Sequence, residues 1–369
     1  MRSLIIDLRM INYSGIGTYL KNLVPFFKDS IFSLKVLGNV REVKNFLKDD
    51  IEIIPFGAPI YSISEQLSYP LIIPRCDVFW SPHFNAPILP IKAKKRIVTI
   101  HDVYHLAFYE SFNSLQKVYI KLVINSAVNL SDKIITVSNF SKSEIIKYTK
   151  VNPEKIEVIY NGVDNNRFKI LDRKVLEPFR SKYPENFILY VGNVKPHKNL
   201  KNLLKAFSII QKKNYKDYYL VIVGKKEGFI TGDKEIFQIL EDSYELRTKV
   251  IFTGYIEDDE LPVLYNLARL FVFPSLYEGF GLPPLEAMAC GCPTVVSNLS
   301  AIPEVCGDAS FYVNPLEPEE IALGILKVLN SDDLRKNLIE KGLERVKSFN
   351  WEKSAKKHRE TILTLLDRG

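Results

Sequence analysis

Residues 274–303, PSLYEGFGLPPLEAMACGCPTVVSNLSAIP, follow directly on the apolar run Leu270 to Phe273, LFVF. That run is rich in β-formers and is stopped by Pro274, the pattern of a strand buried on both faces. A polar loop follows at the strand's carboxyl end. Gly279 and Gly281 permit a tight turn, Pro283 and Pro284 suit the entry of a helix with interior Leu285 to Cys290, and Gly291 is able to close that helix in the left-handed conformation. A second short strand, Thr294 to Ser297, comes next. Strand, loop, helix and strand make one unit of a parallel sheet, and the amides at the helix start, with the positive end of its dipole, form an anion site fit for a diphosphate. Two carboxylates bracket the turn. Glu286 is expected in the first helical turn, where it can accept hydrogen bonds from two neighbouring hydroxyls as a ribose presents them, and Glu278 precedes the turn facing the same crevice. Taken singly, the glutamates also fit a dipole-matched helix residue and a solvated loop carboxylate; the glycines, prolines and second strand around them turn the balance to a binding site.

Working outward, short apolar runs alternate with amphipathic segments of helical length from end to end, which argues for parallel sheets with crossover helices. Candidate strands in the first half are Ser3 to Leu8, Lys35 to Gly38, Glu52 to Pro55, Val78 to Trp80, Arg96 to Ile100, Lys133 to Val137 and Ile156 to Ile159. In the second half they are Phe187 to Val191, Tyr219 to Val223, Val250 to Phe252, Leu270 to Phe273, Thr294 to Ser297 and Ser310 to Val313. The expected fold class is α/β, with two doubly wound, Rossmann-like sheets in sequence, each binding ligands at the carboxyl ends of its strands. The charged stretch Asp164 to Pro184 lacks strong periodicity and reads as the linker, placing a first domain at 1–168 and a second at 169–349. After Asn350 the tail reads as a helix with Ala355, Ile362 and Leu366 on one face.

The 369 residues suffice for two domains with separate cores, and 46% hydrophobic residues is ordinary for a globular chain. With 50 basic against 43 acidic residues the net charge is +7, a mild excess that suits anionic substrates or an anionic membrane surface. Helix-turn-helix, zinc-ligand and RNA-recognition spacings are missing, so nucleic acid is not an expected partner. Among the four cysteines, Cys76, Cys290, Cys292 and Cys306, the middle two are separated by a single glycine, which is not metal-ligand spacing; reduced buried thiols and no metal centre are expected. No signal-peptide pattern follows Met1, and no apolar run approaches the roughly 20 residues of a membrane span. A cytoplasmic protein is expected, at most peripheral at the inner face of the membrane. Lys117, Lys121, Lys142 and Lys147, interleaved with aromatic and aliphatic residues, fit contact with anionic lipid and fit a solvated helix face equally well.

Further constellations fall at strand ends. Ser14-Gly15-Ile16-Gly17-Thr18 lies between the first strand and the amphipathic run Tyr19 to Phe27; a glycine turn there admits a phosphate or hydroxyl near its backbone, though a tight strand-to-helix connection has the same composition. His101 and Asp102 close the run Arg96 to Ile100, where the imidazole can donate to a sugar hydroxyl while Asp102 orients it or binds an acceptor; His83 follows another strand and lines the same side. The second domain opens with Val191-Gly192-Asn193-Val194-Lys195-Pro196-His197-Lys198-Asn199 ahead of a helix. A lysine at that helix start brings a compact charge onto a diphosphate, or belongs to a solvated basic face. Tyr255, after the strand-ending Gly254, is expected near a nucleotide base.

The span from Glu278 to Glu286 resembles the glutamate-x7-glutamate signature of the retaining glycosyltransferases of the GT-B fold, family 4 in particular, and the resemblance covers nearly the whole chain, strongest from Gly192 to Pro303. It implies two Rossmann-like domains facing across a cleft, with the C-terminal helix 350–369 crossing back to the first. It also implies transfer of a hexose from a nucleotide diphosphate sugar to a hydroxyl with the anomeric configuration retained. Carried onto this chain, Glu278 lies by the donor sugar and Glu286 holds the ribose. Gly279, Phe280, Gly281 and Leu282 meet the donor's phosphates or sugar, and Gly192 and Asn193 join them. Lys198 stands where the family keeps a lysine that neutralises the leaving diphosphate, and His101 where it keeps a histidine beside the donor sugar. Gly15 and Gly17 match the first-domain glycine loop and are assigned to the donor diphosphate or the acceptor side, and Asp102 and His83 fall to the acceptor side. Catalysis is therefore assigned to His101, Lys198 and Glu278, with no cofactor and no metal beyond the donor itself, GDP-mannose or a UDP-sugar. Mannose is favoured as the sugar, and the acceptor is a polysaccharide or lipid-linked glycan. The chain departs from the pattern where many members carry arginine: it has Asn193 and His197, which leaves Lys198 as the single firm cation. A nucleotide-sugar epimerase or phosphorylase of the same fold, and a non-catalytic sugar-nucleotide binding module, are the alternatives.

Overall fold

The computed structural model describes residues 2–28, 31–47, 51–213, 215–224, 234–254, 256–257 and 259–367. Tyr255 lies outside the described residues. The chain divides into two compact units, Met1–Gly162 with Asn350–Gly369, and Val163–Phe349. The expected boundary at 168/169 falls inside the second unit, and the segment before it is anchored there: Val163 N donates to the Phe349 carbonyl at 3.1 Å, and the Phe168 ring lies edge-on to Tyr265 at 6.1 Å.

In the first unit β1 (Arg2–Asp7), β2 (Phe32–Gly38), β3 (Glu52–Pro55), β4 (Cys76–Ser81), β5 (Ala93–Ile100), β6 (Lys133–Thr136) and β7 (Ile156–Val158) form a parallel sheet in the order β3-β2-β1-β4-β5-β6-β7. In the second, β8 (Phe187–Val191), β9 (Tyr219–Val223), β10 (Val250–Gly254), β11 (Leu270–Phe273), β12 (Thr294–Ser297) and β13 (Phe311–Val313) form a parallel sheet in the order β10-β9-β8-β11-β12-β13. Every expected strand is present, with ends moved by a few residues. Each sheet reverses direction once, between β1 and β4 and between β8 and β11. Crossovers leave such a pair of strands in opposite directions, which opens a crevice beyond their carboxyl ends. The loops after Asp7 and Ser81 in one unit, and after Val191 and Phe273 in the other, are thereby placed to meet a ligand.

The strands read as continuous apolar runs because helices cover both faces. In the second unit, Leu203, Leu204 and Phe207 of the helix Leu200–Lys212 and Ile321 and Ile325 of the helix Pro318–Leu329 close on Ile188, Tyr190 and Val272. Each such side chain contributes about 1.5–3 kcal/mol by leaving water. In the first unit, Ile120, Val123 and Ile124 of the helix Ser114–Leu130 cover Val98, Ile100 and Ile134.

The C-terminal helix Trp351–Asp367 belongs to the first unit. Asn350 starts it by accepting hydrogen bonds from the amides of Glu352 (2.7 Å) and Lys353 (3.2 Å). Its buried face carries Ala355 and Ile362, as expected, and also Trp351 and His358, whereas Leu366 near its end is only half-buried. The Tyr19 hydroxyl lies 2.6 Å from His358 Nε2, while His358 Nδ1 donates to the Ser354 carbonyl at 2.8 Å. A carbonyl only accepts, so the proton is on Nδ1 and Tyr19 donates to Nε2. The four cysteines are free and buried. Burial pushes the thiols of Cys76, Cys290 and Cys306 up to about 12. Among the described residues no helix is long and apolar enough to cross a membrane.

Candidate functional site

The two loops at the switch point of the second sheet meet. After β8 the chain passes through a short turn, Pro196–Lys198; after β11 it enters the helix Leu282–Ala289. The His197 carbonyl accepts from Leu276 N (2.7 Å) and Ser275 Oγ (3.0 Å), and Asn199 Nδ2 donates to the Pro274 carbonyl at 2.9 Å. With these backbones pinned together, Lys198 Nζ donates to Glu278 Oε1 in an ion pair whose side chains are only 19% and 12% exposed. The Phe273 ring lies 5.6 Å from the ammonium. Withdrawing two charges from water costs several kcal/mol per ion, so such a pair is weak evidence of a stability role. It holds one cation and one carboxylate ready at the ligand end of the sheet.

The Glu278 backbone is fixed from the other side. Its amide donates to Ser300 Oγ at 3.1 Å and its carbonyl accepts from Ala301 N at 3.3 Å. Ser300 has a left-handed backbone, φ 58°, which costs a non-glycine residue roughly 1–3 kcal/mol and persists where the surroundings over-determine it. Gly281 has φ 102°, and a Cβ there would stand 2.6 Å from Ile302 Cδ1, so only glycine fits. Phe280 is buried with its ring edge-on to Phe349 at 5.7 Å, which leaves only its backbone for a ligand. Leu282 is the first residue of the helix. Because the helix starts there, Glu286 lies beyond the first turn, contrary to expectation, and the dipole acts weakly on it. Its carboxylate is held by Tyr265, whose hydroxyl donates to Oε2 at 3.1 Å. Tyr265 was not found from the sequence; in the helix Glu260–Leu267 it is spaced like any other core aromatic.

Gly192 donates its amide to the Val223 carbonyl at 3.0 Å, and Gly224 packs against the Gly192 carbonyl, where a Cβ would stand 2.6 Å away. Asn193 is exposed and its carbonyl accepts from Lys195 N at 3.0 Å.

In the first unit the glycine segment is not a loop. The helix Ser14–Leu23 begins earlier than expected, so Gly15 and Gly17 sit within its opening turns. Gly15 is exposed with open space where a Cβ would be, whereas a Cβ on Gly17 would collide with the Ile11 carbonyl. His101, at the end of β5, donates from Nε2 to the Pro82 carbonyl at 3.0 Å and stands edge-on to Tyr19 at 4.8 Å. Burial holds its pKa below the usual histidine value. Asp102 does not orient this imidazole: its Oδ1 accepts from Tyr104 N at 2.9 Å, the short-range turn an aspartate makes with its own backbone two residues on. His83 accepts at Nδ1 from Asn85 N (3.2 Å), and its ring packs on Phe84 at 4.1 Å. Burial, then the neighbouring His101, lowers its pKa well below the usual value.

A charged cluster at the end of β1 is not legible in the sequence. Arg9 Nη2 pairs with Asp7 Oδ2 and Glu65 Oε1, both at 2.7 Å, and its guanidinium lies over the rings of Phe56 (4.4 Å) and Tyr69 (4.9 Å). Asn85 Nδ2 donates to both Glu65 oxygens at 2.8 Å. The Arg9 side chain is 5% exposed and that of Glu65 0%. The one available signal is two opposite charges, Asp7 and Arg9, at the end of an otherwise apolar strand. Asp7, Arg9, Ser81, His83 and Asn85 line a void of about 10 Å³, room for about one water. Among the described residues no three His, Cys, Asp or Glu side chains come together as a metal-holding group.

Comparison with known proteins agrees with this arrangement of sheets. Residues 13–167 match the family described as Glycosyltransferase Family 4 and residues 173–345 the family described as Glycosyl transferases group 1. The chain is 32% identical over 278 residues to the O-antigen chain mannosyltransferase B of Escherichia coli, a match covering 74% of this chain and 71% of that protein. It is 35% identical over 230 residues to the serotype-specific mannosyltransferase WbdA of Escherichia coli, covering 61% of this chain but 28% of WbdA, so the chain spans little more than a quarter of that relative. The crystal structure of a glycosyltransferase from Rickettsia africae ESF-5 shares the fold, with a TM-score of 0.79 at 20% identity over 100% of this chain and 99% of that one. With both units matched and both sheets of the shared topology, the chain belongs to glycosyltransferase family 4 and has the GT-B architecture.

Proposed function

We propose that the chain is a retaining hexosyltransferase that moves a sugar, mannose by preference, from a nucleotide diphosphate sugar to a hydroxyl of a growing polysaccharide or lipid-linked glycan. The observation that carries this is the buried Lys198–Glu278 ion pair beside a glycine turn that opens a helix. With donor bound, Lys198 turns from Glu278 to the diphosphate. Breaking the bond between the anomeric carbon and the phosphate oxygen leaves the electron pair on the diphosphate, and Lys198 with the amides of residues 279–282 stabilises that charge as it develops. The acceptor oxygen attacks the same face and its proton passes to the leaving phosphate, so configuration is retained without a covalent enzyme intermediate. Glu278 orients the donor sugar, Glu286 accepts from the ribose hydroxyls, and His101 donates to a hydroxyl of the donor sugar. His83 and Asp102 serve the acceptor side. Since Lys198 and the helix start supply the charge compensation, turnover in a chelator is expected to be unchanged.

Mannose is supported by the names of the two relatives from Escherichia coli. Because these relatives are transferases, the epimerase and the non-catalytic module are not favoured. The test is a thermal-shift and turnover screen of GDP-mannose and UDP-sugars against the purified chain. A shift with one donor and loss of turnover in Glu286→Ala support the reading; unaltered turnover in that variant removes it. Contact of the first unit with an anionic membrane is proposed as well. Lys117, Lys142 and Lys147 are engaged by Glu110, the Ile156 carbonyl and Glu144, so this contact rests on Lys121 with the exposed Leu115, Val118 and Leu122. Vesicle co-sedimentation indifferent to Leu115→Asp would remove it.

A further inference from the structure

Tyr190, on β8, is 0% exposed, and its hydroxyl has no hydrogen-bond partner among the described residues. Buried hydroxyls are nearly always paired, so an orphan one calls for a reason. The register puts it at the ligand end of the sheet. Ile188 and Leu189 lie beside Leu270 and Phe271, so Tyr190 stands level with Val272, one residue before the end of β11, and the loops that follow these two strands carry the paired Lys198 and Glu278. Gly192 lets the hydroxyl reach that level, since a Cβ at 192 would stand 3.1 Å from it. Glu278 is near enough for its charge to act on the phenol, which burial keeps protonated and hence a donor.

We infer that Tyr190 is a positioning residue that takes over Glu278 when Lys198 leaves it. Glu278 is satisfied by Lys198, and the Tyr190 hydroxyl is surplus to that pair. The inference rests on the donor reading above: binding draws Lys198 to the diphosphate and strips a carboxylate that is only 12% exposed of its cation. An uncompensated carboxylate in such a place is costly. The Tyr190 hydroxyl, already out of water, supplies a charge-assisted hydrogen bond with no further desolvation. Glu278 then stays ionised and aimed at the sugar while Lys198 serves the phosphate. A phenol that merely filled space would be equivalent to phenylalanine.

The test is Tyr190→Phe, read in two ways. In the otherwise native chain the melting temperature without ligand is expected not to fall, while the dissociation constant for GDP-mannose rises roughly tenfold, the scale of one hydrogen bond to a charged group. The second measurement needs no donor. In a Lys198→Met background Glu278 has already lost its cation, and there Tyr190→Phe is expected to lower the melting temperature although it does not do so alone. Equal donor affinity together with no coupling to Lys198→Met overturns the inference. So does a lowered melting temperature in Tyr190→Phe alone, which would mean that the hydroxyl is bonded before donor arrives. A native chain that binds no nucleotide sugar but retains the coupling overturns the donor reading instead, and leaves the handover between Lys198 and Tyr190 standing.

Discussion

The hydroxyl of Tyr265 donates to Oε2 of Glu286 at 3.1 Å, tying the helix before β11 to the helix after it. Tyr265 is completely buried, so the bond both aims the carboxylate and satisfies a hydroxyl that has no access to water. Glu286→Ala therefore does two separable things. It removes the proposed ribose contact, and it orphans the phenol at a cost of about 1–3 kcal/mol. Adding Tyr265→Phe to that variant is expected to restore most of the stability and none of the donor affinity. Denaturant unfolding and thermal shifts with GDP-mannose measure the two effects; if the single variant is as stable as the native chain, the bond does not hold the site.

Arg9 in the first unit sits between Asp7 and Glu65 with almost no exposure. Arg9→Ala leaves two buried carboxylates facing each other without their cation, and breaking a buried pair in this way costs about 3–5 kcal/mol. Arg9→Lys keeps the charge but loses the fork that reaches both partners, so it is expected to fall between the two. Melting of the purified chain checks the order native, lysine, alanine. A loss in Arg9→Ala of under about 1 kcal/mol, the scale of a surface pair, contradicts it.

These two clusters show what could be read from the sequence. Leu270–Phe273 is legible because a run of β-formers buried on both faces is apolar throughout, and the same held for the other strands. Glu278 and Lys198 are each visible as charges at strand ends, yet 80 residues separate them, and no local pattern says that they pair. Glu65 was invisible: on the helix Ile63–Ile72 a glutamate reads as solvated, and only the packing of Arg9 and Asn85 around it makes it buried. Glu286 was found but misplaced by a turn. Pro283 and Pro284 are tolerated at the start of a helix, where proline lacks only an amide that has no helical partner anyway, so the helix begins at Leu282.

His358 makes the first unit sensitive to acid. Its imidazole must stay neutral, since Nε2 accepts from Tyr19 while Nδ1 donates to Ser354, and burial lowers its pKa from 6.5 to about 4. The unfolded chain takes up the proton first as pH falls. The stabilisation is thus fully present above 6.5 and is lost progressively on the way down to about 4, a total of about 3 kcal/mol. His83 and His101, also lowered by burial, act with the same sign. The melting temperature is expected to fall between about pH 7 and about pH 5, and His358→Gln to flatten that slope. Identical slopes in the two proteins would assign the acid sensitivity elsewhere.

Gly281 and Gly15 are both glycines next to a proposed donor contact, and alanine is expected to affect them in opposite ways. At 281 the backbone has φ 102° and a Cβ would stand 2.6 Å from Ile302 Cδ1, so Gly281→Ala meets both backbone strain and a clash. The expected loss exceeds about 1 kcal/mol, and donor affinity falls with it because the amides of residues 279–282 move. Ile302→Val removes Cδ1 and relieves the clash alone, so the double variant is expected to recover part of the stability. At 15 a Cβ meets nothing, and the residue lies within a helix. Gly15→Ala is therefore expected to be neutral or to stabilise by up to about 1 kcal/mol, since alanine is the better helix former. If Gly281→Ala melts and binds donor like the native chain, the turn does not organise the phosphate site. If Gly15→Ala instead abolishes donor binding without loss of stability, the open space over Gly15 is occupied by the ligand.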